Sequence, residues 1–454
     1  MNIDLENKIA NFKFLIEKGI TAFKKNNIKI YRESLVETSL IIKEIIETGD
    51  IDLALNSEIF WYSHLVKLQE SEENYFIAFQ NHFKSFFKTG EKRSQLINYS
   101  LVLDKNNIAF ILQIPVLLGH TEVMLTIIKE WAEKNPHLNI FVASFKPFKD
   151  PLKTILHDLN VKMLEACHQD SLVKSIDTLK KLFKDNNIYS AIWVSVPVSI
   201  SYIFGLKLAP KQIIWALKFH PIYLERDVIH VAVTKVTENR FSYINGNKWI
   251  SFSPPLIVKK IHFNKEKIDE FKKIYPAKLI FGTLARTEKF NSPSFISSII
   301  KILNKCPNSI YLFSGREPNQ FLLDAAKEFN LTDRIFFIGW VDTNLYGNII
   351  DVFLESFPFG CGITSMQAFS QGTHVISLWD DDTIPRWYFK NIGESLNYKP
   401  SWNVAETDEE YISNAESLYK ISIDRGKLQK NFYTFLNLKD SEKSDLLLDI
   451  ILKQ

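Results

Sequence analysis

Residues 351–371 read Asp351-Val352-Phe353-Leu354-Glu355-Ser356-Phe357-Pro358-Phe359-Gly360-Cys361-Gly362-Ile363-Thr364-Ser365-Met366-Gln367-Ala368-Phe369-Ser370-Gln371. The first six residues have the length and apolar content of a buried strand, Phe357 to Gly362 is a turn with two glycines, and Ile363 to Gln371 has helical spacing. This order puts a helix N-terminus at the end of a strand. Its N–H groups and partial positive charge there suit a diphosphate. Gly360 and Gly362 allow close main-chain approach, Ile363 opens the helix, and Thr364 and Ser365 add hydroxyl donors in its first turn. Any tight βα turn favours glycine, so taken alone the segment is only a generic anion site.

Reading outward gives it neighbours. Strands are expected at 278–282, 309–314, 334–339 and 373–378, with helices at 294–304 and 320–329. The alternation is that of a doubly wound parallel sheet covered on both faces. Its first strand runs into Gly282-Thr283-Leu284-Ala285-Arg286-Thr287-Glu288-Lys289, which places two cations at the mouth of the adjacent loop. Arg286 can fork two phosphate oxygens and Lys289 can supply a point charge to a departing diphosphate. Exposed Arg and Lys near a helix start are also ordinary surface residues. Two more strand ends, Phe313-Ser314-Gly315-Arg316-Glu317 and Phe337-Ile338-Gly339-Trp340-Val341, add loops to the same rim. Four loops on one edge make a binding rim the better reading.

An earlier alternating series spans 101–255, with strands expected at 108–114, 139–144, 189–196 and 212–217 and helices at 121–134, 171–185 and 198–206. A hairpin is expected around Asn245-Gly246-Asn247, and Ser253-Pro254-Pro255 reads as the linker. Two doubly wound units imply a cleft facing the carboxyl ends of both sheets. His120 falls in the first βα loop, where it is a candidate base for an acceptor hydroxyl, a helix cap, or a sugar contact. Lys218-Phe219-His220-Pro221 closes another strand; His220 is either a ligand contact or a turn residue held by its proline. Trp193 and Trp215 lie inside strands and read as core.

Residues 1–100 are helical in pattern, with apolar stripes such as Phe12, Leu15, Ile16, Ile20 and Phe76, Phe79, Phe83, Phe87. Stripes at this spacing are read as the packed core of a bundle in preference to a docking groove. The expected domains are thus a helical leader (1–100), a first Rossmann-like unit (101–255) and a second (256–454).

At 454 residues the chain is long enough for these three parts, and its 46% apolar and 24% charged content is that of a globular protein. The 55 basic and 52 acidic residues are interspersed and leave a net charge of +3, which argues against a nucleic-acid partner. Cys167, Cys306 and Cys361 are odd in number and widely spaced, as in a reducing compartment. The start, Met1-Asn2-Ile3-Asp4-Leu5-Glu6, lacks a signal-peptide pattern, and the longest apolar run, Ile108 to Leu118, is too short to span a bilayer. A cytoplasmic protein is expected, and the pattern is compatible with a monomer or an oligomer. Asp380-Asp381-Asp382 invites a metal reading, but a helix dipole and cations already neutralise a diphosphate, so a solvated loop is preferred and no metal is expected; Arg386 beyond it is a further candidate contact.

The succession GTLARTEK, YLFSGRE, FFIGW and DVFLESFPFGCGITSMQAFSQGTHVIS resembles the C-terminal half of a GT-B glycosyltransferase. With the PFG turn and a helical leader before two Rossmann-like units, the chain is most similar to the cytoplasmic bacterial N-glucosyltransferases of high-molecular-weight adhesins. It resembles the O-linked N-acetylglucosamine transferases more distantly. The resemblance spans 101–393 and is strongest over 282–378. It implies that Lys289 and Arg286 contact the donor phosphates. It also implies that the Gly339-Trp340-Val341 loop holds the base and that the Gly362-Ile363-Thr364 main chain cradles the diphosphate. Gln367 occupies the place of an acid that contacts ribose or sugar. The second half also resembles the broad retaining family that includes sucrose synthases and many bacterial glucosyltransferases, in which an acid pair frames the turn where this chain has Phe359 and Gln367.

On this resemblance the expected activity is transfer of a hexose, glucose from UDP-glucose, onto a protein-linked sugar, extending N-linked glucose, with no cofactor. Addition of the first glucose to Asn is the near alternative. A non-hydrolysing UDP-sugar epimerase or a catalytically dead interaction protein are readings from other classes, and neither retention nor inversion is specified. A dinucleotide oxidoreductase is disfavoured because no G-x-G-x-x-G follows a strand with an acid beyond it.

Overall fold

Short apolar strands alternate with amphipathic helices twice along the chain, and each series closes into its own sheet. The computed structural model describes residues 3–25, 27–65, 72–94, 104–194, 199–216, 223–225, 227–232, 241–244, 247–251, 265–275, 277–357, 360–378, 402–430, 432, 448–449 and 452. Residues 1–255 together with 443–454 form one unit, and 256–442 the other.

The first unit opens with four helices, α1 (Ile3–Lys24), α2 (Ile28–Glu47), α3 (Ile51–Leu65) and α4 (Glu72–Ser94). There follow β1 (Asp104–Leu112), α5 (Gly119–Lys134), β2 (Asn139–Ser144), α6 (Leu152–Asp158), β3 (Lys162–Glu165), α7 (Leu172–Asp185), β4 (Ile188–Trp193), α8 (Ile200–Gly205) and β5 (Lys211–Ala216). The strands β6 (Ile229–Ala232), β7 (Phe241–Ile244) and β8 (Asn247–Ser251) complete it. Among the described residues the sheet order is β3-β2-β1-β4-β5-β6-β8-β7, parallel except for the β7/β8 hairpin. The order reverses between β1 and β4. Trp193 and Trp215 are buried, as their strand positions imply.

The leader shares its interior with this sheet. Phe79, Phe83 and Phe87 of α4 lie in the same apolar cluster as Tyr202, Ile203 and Phe204 of α8. The two helices cross glycine to glycine: an added Cβ at Gly90 would lie 2.2 Å from the Tyr202 carbonyl oxygen, and one at Gly205 2.1 Å from that of Phe87. Polar tethers reinforce the contact. Asp52 accepts from Ser171 Oγ at 2.5 Å and from Val173 N at 2.8 Å, capping α7. The buried carboxyl of Glu58 faces His82 Nε2 at 3.3 Å and accepts from Ser199 N at 3.0 Å. Ser199 has φ of 61°, a left-handed conformation that needs such a partner. Gln80 donates to the Tyr223 carbonyl. Three leader side chains thereby reach the segments that follow β3, β4 and β5.

The second unit contains α9 (Lys265–Ile274), β9 (Leu279–Thr283), α10 (Pro293–Lys305), β10 (Ser309–Phe313), α11 (Gln320–Glu328), β11 (Ile335–Phe337) and α12 (Thr343–Ile349). After these come β12 (Val352–Leu354), α13 (Ile363–Ser370), β13 (His374–Leu378), β14 (Trp402–Ala405) and a helix at Asp408–Lys420. The described strands are all parallel in the order β11-β10-β9-β12-β13-β14, reversing between β9 and β12. Apolar clusters cover the two faces, one around Phe281, Phe313 and Leu354 and the other around Ile280, Leu312 and Phe353. Side-chain caps start the helices: Ser292 accepts from Phe295 N at 3.3 Å and Asn319 from Leu322 N at 2.9 Å. At the opposite edge Asp351 is clipped by Lys272 (2.9 Å), Arg425 (3.0 Å) and the Ile280 N–H (2.9 Å).

Several elements differ from the sequence expectation. The α6–β3 pair, α12 and β14 go unpredicted because each is short and rich in polar residues, Asn or Gly, so periodicity is weak. The first strand of the second unit runs to Thr283, which puts Gly282 inside the sheet. The last residues, 443–454, group with the first unit. The Ser253-Pro254-Pro255 linker, the Asn245-Gly246 turn, Asp380-Asp381-Asp382 and Arg386 lie outside the described residues. Among the described residues no helix is long and apolar enough to cross a membrane.

Candidate functional site

Because the strands of the second sheet run parallel, the segments after β9, β10, β11 and β12 leave it at one edge. The reversal between β9 and β12 separates the loops that follow them, and such a switch point is where ligands of open α/β sheets bind. Here the two loops meet. Lys289, in a 3-10 turn at Thr287–Phe290, donates its ammonium to the main-chain carbonyl of Gly360 in the turn after β12. The side chain is half-buried with its ammonium turned inward, and burial pulls the Lys289 pKa below the ordinary lysine range. Cys361 and Glu355 oppose that shift and Arg286 adds to it.

The turn itself is built around an acid. Glu355 is fully buried, and its Oε1 accepts from Cys361 N (3.0 Å), Gly362 N (3.3 Å) and Ser365 Oγ (3.2 Å), while Oε2 accepts from Ser377 Oγ at 2.5 Å. Gly360 packs on this carboxylate: an added Cβ would lie 2.6 Å from Oε1. Gly362 takes φ of 52° and begins α13, and an added Cβ there would meet nothing within 4 Å, so the turn is open on that side. Met366 N bonds back to the Gly362 carbonyl, and among the described residues the N–H groups of Ile363 and Ser365 find no acceptor. Unpaired first-turn donors beside open space are able to receive an anion, and the Lys289 ammonium lies on the same turn. Burial raises the Cys361 thiol pKa, and its sulfur lies 3.2 Å from Ser356 Oγ.

The hydroxyls of the helix start point inward. Thr364 Oγ1 donates to the Leu284 carbonyl at 2.6 Å, locking α13 to the loop after β9, and Ser365 belongs to Glu355. Both hydroxyls are engaged inside the protein, where the sequence reading offers them as donors to a ligand. Gln367 Oε1 accepts from Thr343 Oγ1 at 2.6 Å, which ties α13 to the first residue of α12. Thr283 is likewise internal, donating to the Leu354 carbonyl at 2.5 Å and accepting from Tyr311 OH at 2.6 Å. Gly282 serves packing, since an added Cβ would lie 2.5 Å from Ile350 Cδ1.

The outer rim is more open. Arg286 is exposed, and among the described residues its guanidinium has no hydrogen bond or ion pair. Arg316 stacks over the Trp340 ring with Cζ 5.8 Å from the centroid, and Trp340 is 61% exposed. The two loops are joined by Gly315 N donating to the Gly339 carbonyl at 3.1 Å, and Gly315 sits tightly on Thr287 Oγ1, 2.6 Å from an added Cβ. Gly339, with φ of 73°, makes the bend that presents Trp340, while Val341 turns back into the apolar layer. An exposed, braced indole offers an apolar face that a planar ring can stack on.

In the first unit His120 lies in the first turn of α5, buried at the corresponding reversal between β1 and β4. The helix start is capped by Thr121, whose Oγ1 accepts from Leu118 N at 2.6 Å, so a capping role for His120 is not needed. His220 lies outside the described residues. The side chain that sequence reasoning passed over is Glu355, read there only as a strand residue. Its signal is an acid at the end of an apolar strand, followed at once by a glycine turn with Ser365 and Ser377 as donors beyond it.

The chain has the GT-B fold, two parallel α/β sheets with surrounding helices. Its structure is similar to that of a variant of the O-GlcNAc transferase from Thermobaculum terrenum, with a TM-score of 0.60 at 15% identity over 98% of this chain and 97% of that one. A glycosyltransferase from Rickettsia africae ESF-5 gives 0.53 at 15% identity over 77% and 98%. A lipopolysaccharide outer core galactosyltransferase, WaaB, gives 0.53 at 13% over 76% and 99%. At these identities the likeness is one of fold. The sequence matches no protein-family model and no curated protein.

Proposed function

We propose that the chain is a glycosyltransferase that takes glucose from UDP-glucose and adds it to a sugar already carried by a protein. The observation that carries this reading is the junction of Lys289 with the Gly360 turn at the switch point. In the proposed reaction the bond from the sugar's anomeric carbon to the β-phosphate oxygen breaks, that oxygen keeps the electron pair, and the acceptor oxygen bonds the anomeric carbon as its proton passes to a base. Lys289, Arg286 and the N–H groups of Ile363 and Ser365 stabilise the charge growing on the departing diphosphate. Trp340, braced by Arg316, stacks on the uracil ring, and His120 is the proposed base. The activities named for two similar structures, an O-GlcNAc transferase and a galactosyltransferase, support sugar transfer as the reaction class.

The test is incubation of the full chain with UDP- and GDP-sugars and with glucosylated and bare Asn-containing peptides, reading nucleotide release and peptide mass. Release of UDP with a hexose-sized gain on the glucosylated peptide is the expected result. Gain on the bare peptide alone would reassign the acceptor, and consumption of no donor would sink the enzyme reading.

A further inference from the structure

A buried acid behind an anion-binding turn is at first sight misplaced, since an unneutralised negative charge there opposes a phosphate. Glu355 is nevertheless held from every side. Its N–H donates to the Ile376 carbonyl at 2.9 Å, its carbonyl accepts from Tyr411 OH at 3.0 Å, and Oε2 is fixed on β13 through Ser377. One carboxylate oxygen is anchored to the sheet. The other grips the turn through the N–H groups of Cys361 and Gly362 and the hydroxyl of Ser365. Gly360 links this grip to the cation, because it packs on Oε1 and gives its own carbonyl to Lys289.

We propose that Glu355 is the positioning residue of the diphosphate turn, tying Cys361 and Gly362 inward so that Ile363 and Ser365 present their N–H groups, and holding the Lys289 ammonium from behind. It does so without touching the ligand. The inference rests on the donor-site reading above. A neutral side chain could accept the same main-chain donors, so the charge has a separate task. Lys289 is pulled below the ordinary lysine range by burial and by Arg286; Glu355, Cys361 and Glu288 are the groups around it that favour its protonated form. Removing the Glu355 charge lowers the Lys289 pKa further, so the cation is lost at a lower pH.

The experiment titrates the full chain and its variants with UDP by calorimetry from about pH 7 to about pH 10, spanning the lowered lysine range. Glu355→Ala is expected to weaken UDP by about tenfold or more at neutral pH. Glu355→Gln retains an acceptor for Cys361 and Gly362; it is expected to restore most of the affinity at neutral pH but to lose it at lower pH than the parent. If both variants bind UDP as the parent does, with the same pH profile, while Lys289→Ala does not, the positioning role is overturned. If Glu355→Ala fails to fold, the pH profile of Glu355→Gln decides. A parent chain that binds no UDP would overturn the donor-site reading itself.

Discussion

Lys289 and Gly360 are 71 positions apart in the chain, yet the ammonium of one lies on the carbonyl of the other across the strand-order reversal of the second sheet. The contact joins a cation and a glycine turn that lie in separate loops of the sequence. It also occupies the ammonium with a neutral carbonyl, a weaker partner than a phosphate oxygen.

Lys289→Ala is therefore expected to weaken UDP binding by roughly 10- to 100-fold, the range for losing a charged hydrogen-bond partner. Inorganic pyrophosphate should lose a similar factor. Calorimetric titration with both ligands measures this, and unchanged affinity for both would remove Lys289 from the site.

Trp340→Ala should weaken UDP by about tenfold through lost ring stacking and leave pyrophosphate binding as it was. Arg316→Ala, which removes only the cation bracing the indole, should cost about two- to fivefold. Equal losses for UDP and pyrophosphate in Trp340→Ala would mean that the indole has no role with the base.

Gly282→Ala places a methyl 2.5 Å from Ile350 Cδ1, so a loss of about 1–3 kcal/mol in urea unfolding is expected, with UDP affinity little changed. Adding Ile350→Val, which removes that carbon, should recover part of the stability. Failure of the second substitution to help would show that Gly282 is needed for something other than room.

His230 gives the fold an acid sensitivity. Burial holds its pKa down to about 3, a main-chain hydrogen bond at Val228 opposes this, and Nε2 accepts from Leu224 N at 3.0 Å. The folded pKa lies below the unfolded value of about 6.5, so the unfolded chain takes up the proton first. The stability contribution is full above about pH 6.5 and falls by up to about 1.4 kcal/mol per pH unit toward pH 3. His230→Gln, able to keep the acceptor, should flatten this slope in unfolding measured between about pH 7 and pH 4. The same slope in both proteins would place the acid sensitivity elsewhere.

Much of this was legible in the residues. The strands 108–114, 139–144, 309–314 and 373–378 are apolar runs that only a sheet buried on both faces needs, and they fold as strands with small shifts at their ends. Lys289, Gly360 and Gly362 converge as their loops suggested. Thr283, Thr364, Ser365 and Gln367 show where reading by type stops: a hydroxyl or amide near a turn can face inward as readily as outward, and only packing decides. Glu355 shows the converse. An acid at the end of an apolar strand shows no role until the donors that meet it, drawn from positions 361, 362, 365 and 377, are brought together by the fold.

The tethers from Asp52, Glu58 and Gln80 bear on how this protein can be recombined with others. A chimaera cut near residue 100 would sever the glycine crossing of Gly90 and Gly205 and strip three loop supports from the recipient, so the helical leader cannot be exchanged as a module. The natural cassette is 256–442, bounded on both sides by chain that belongs to the first unit. Swapping that block while keeping 1–255 and 443–454 leaves the Asp52, Glu58 and Gln80 tethers and the Gly90–Gly205 crossing on one side of both cuts.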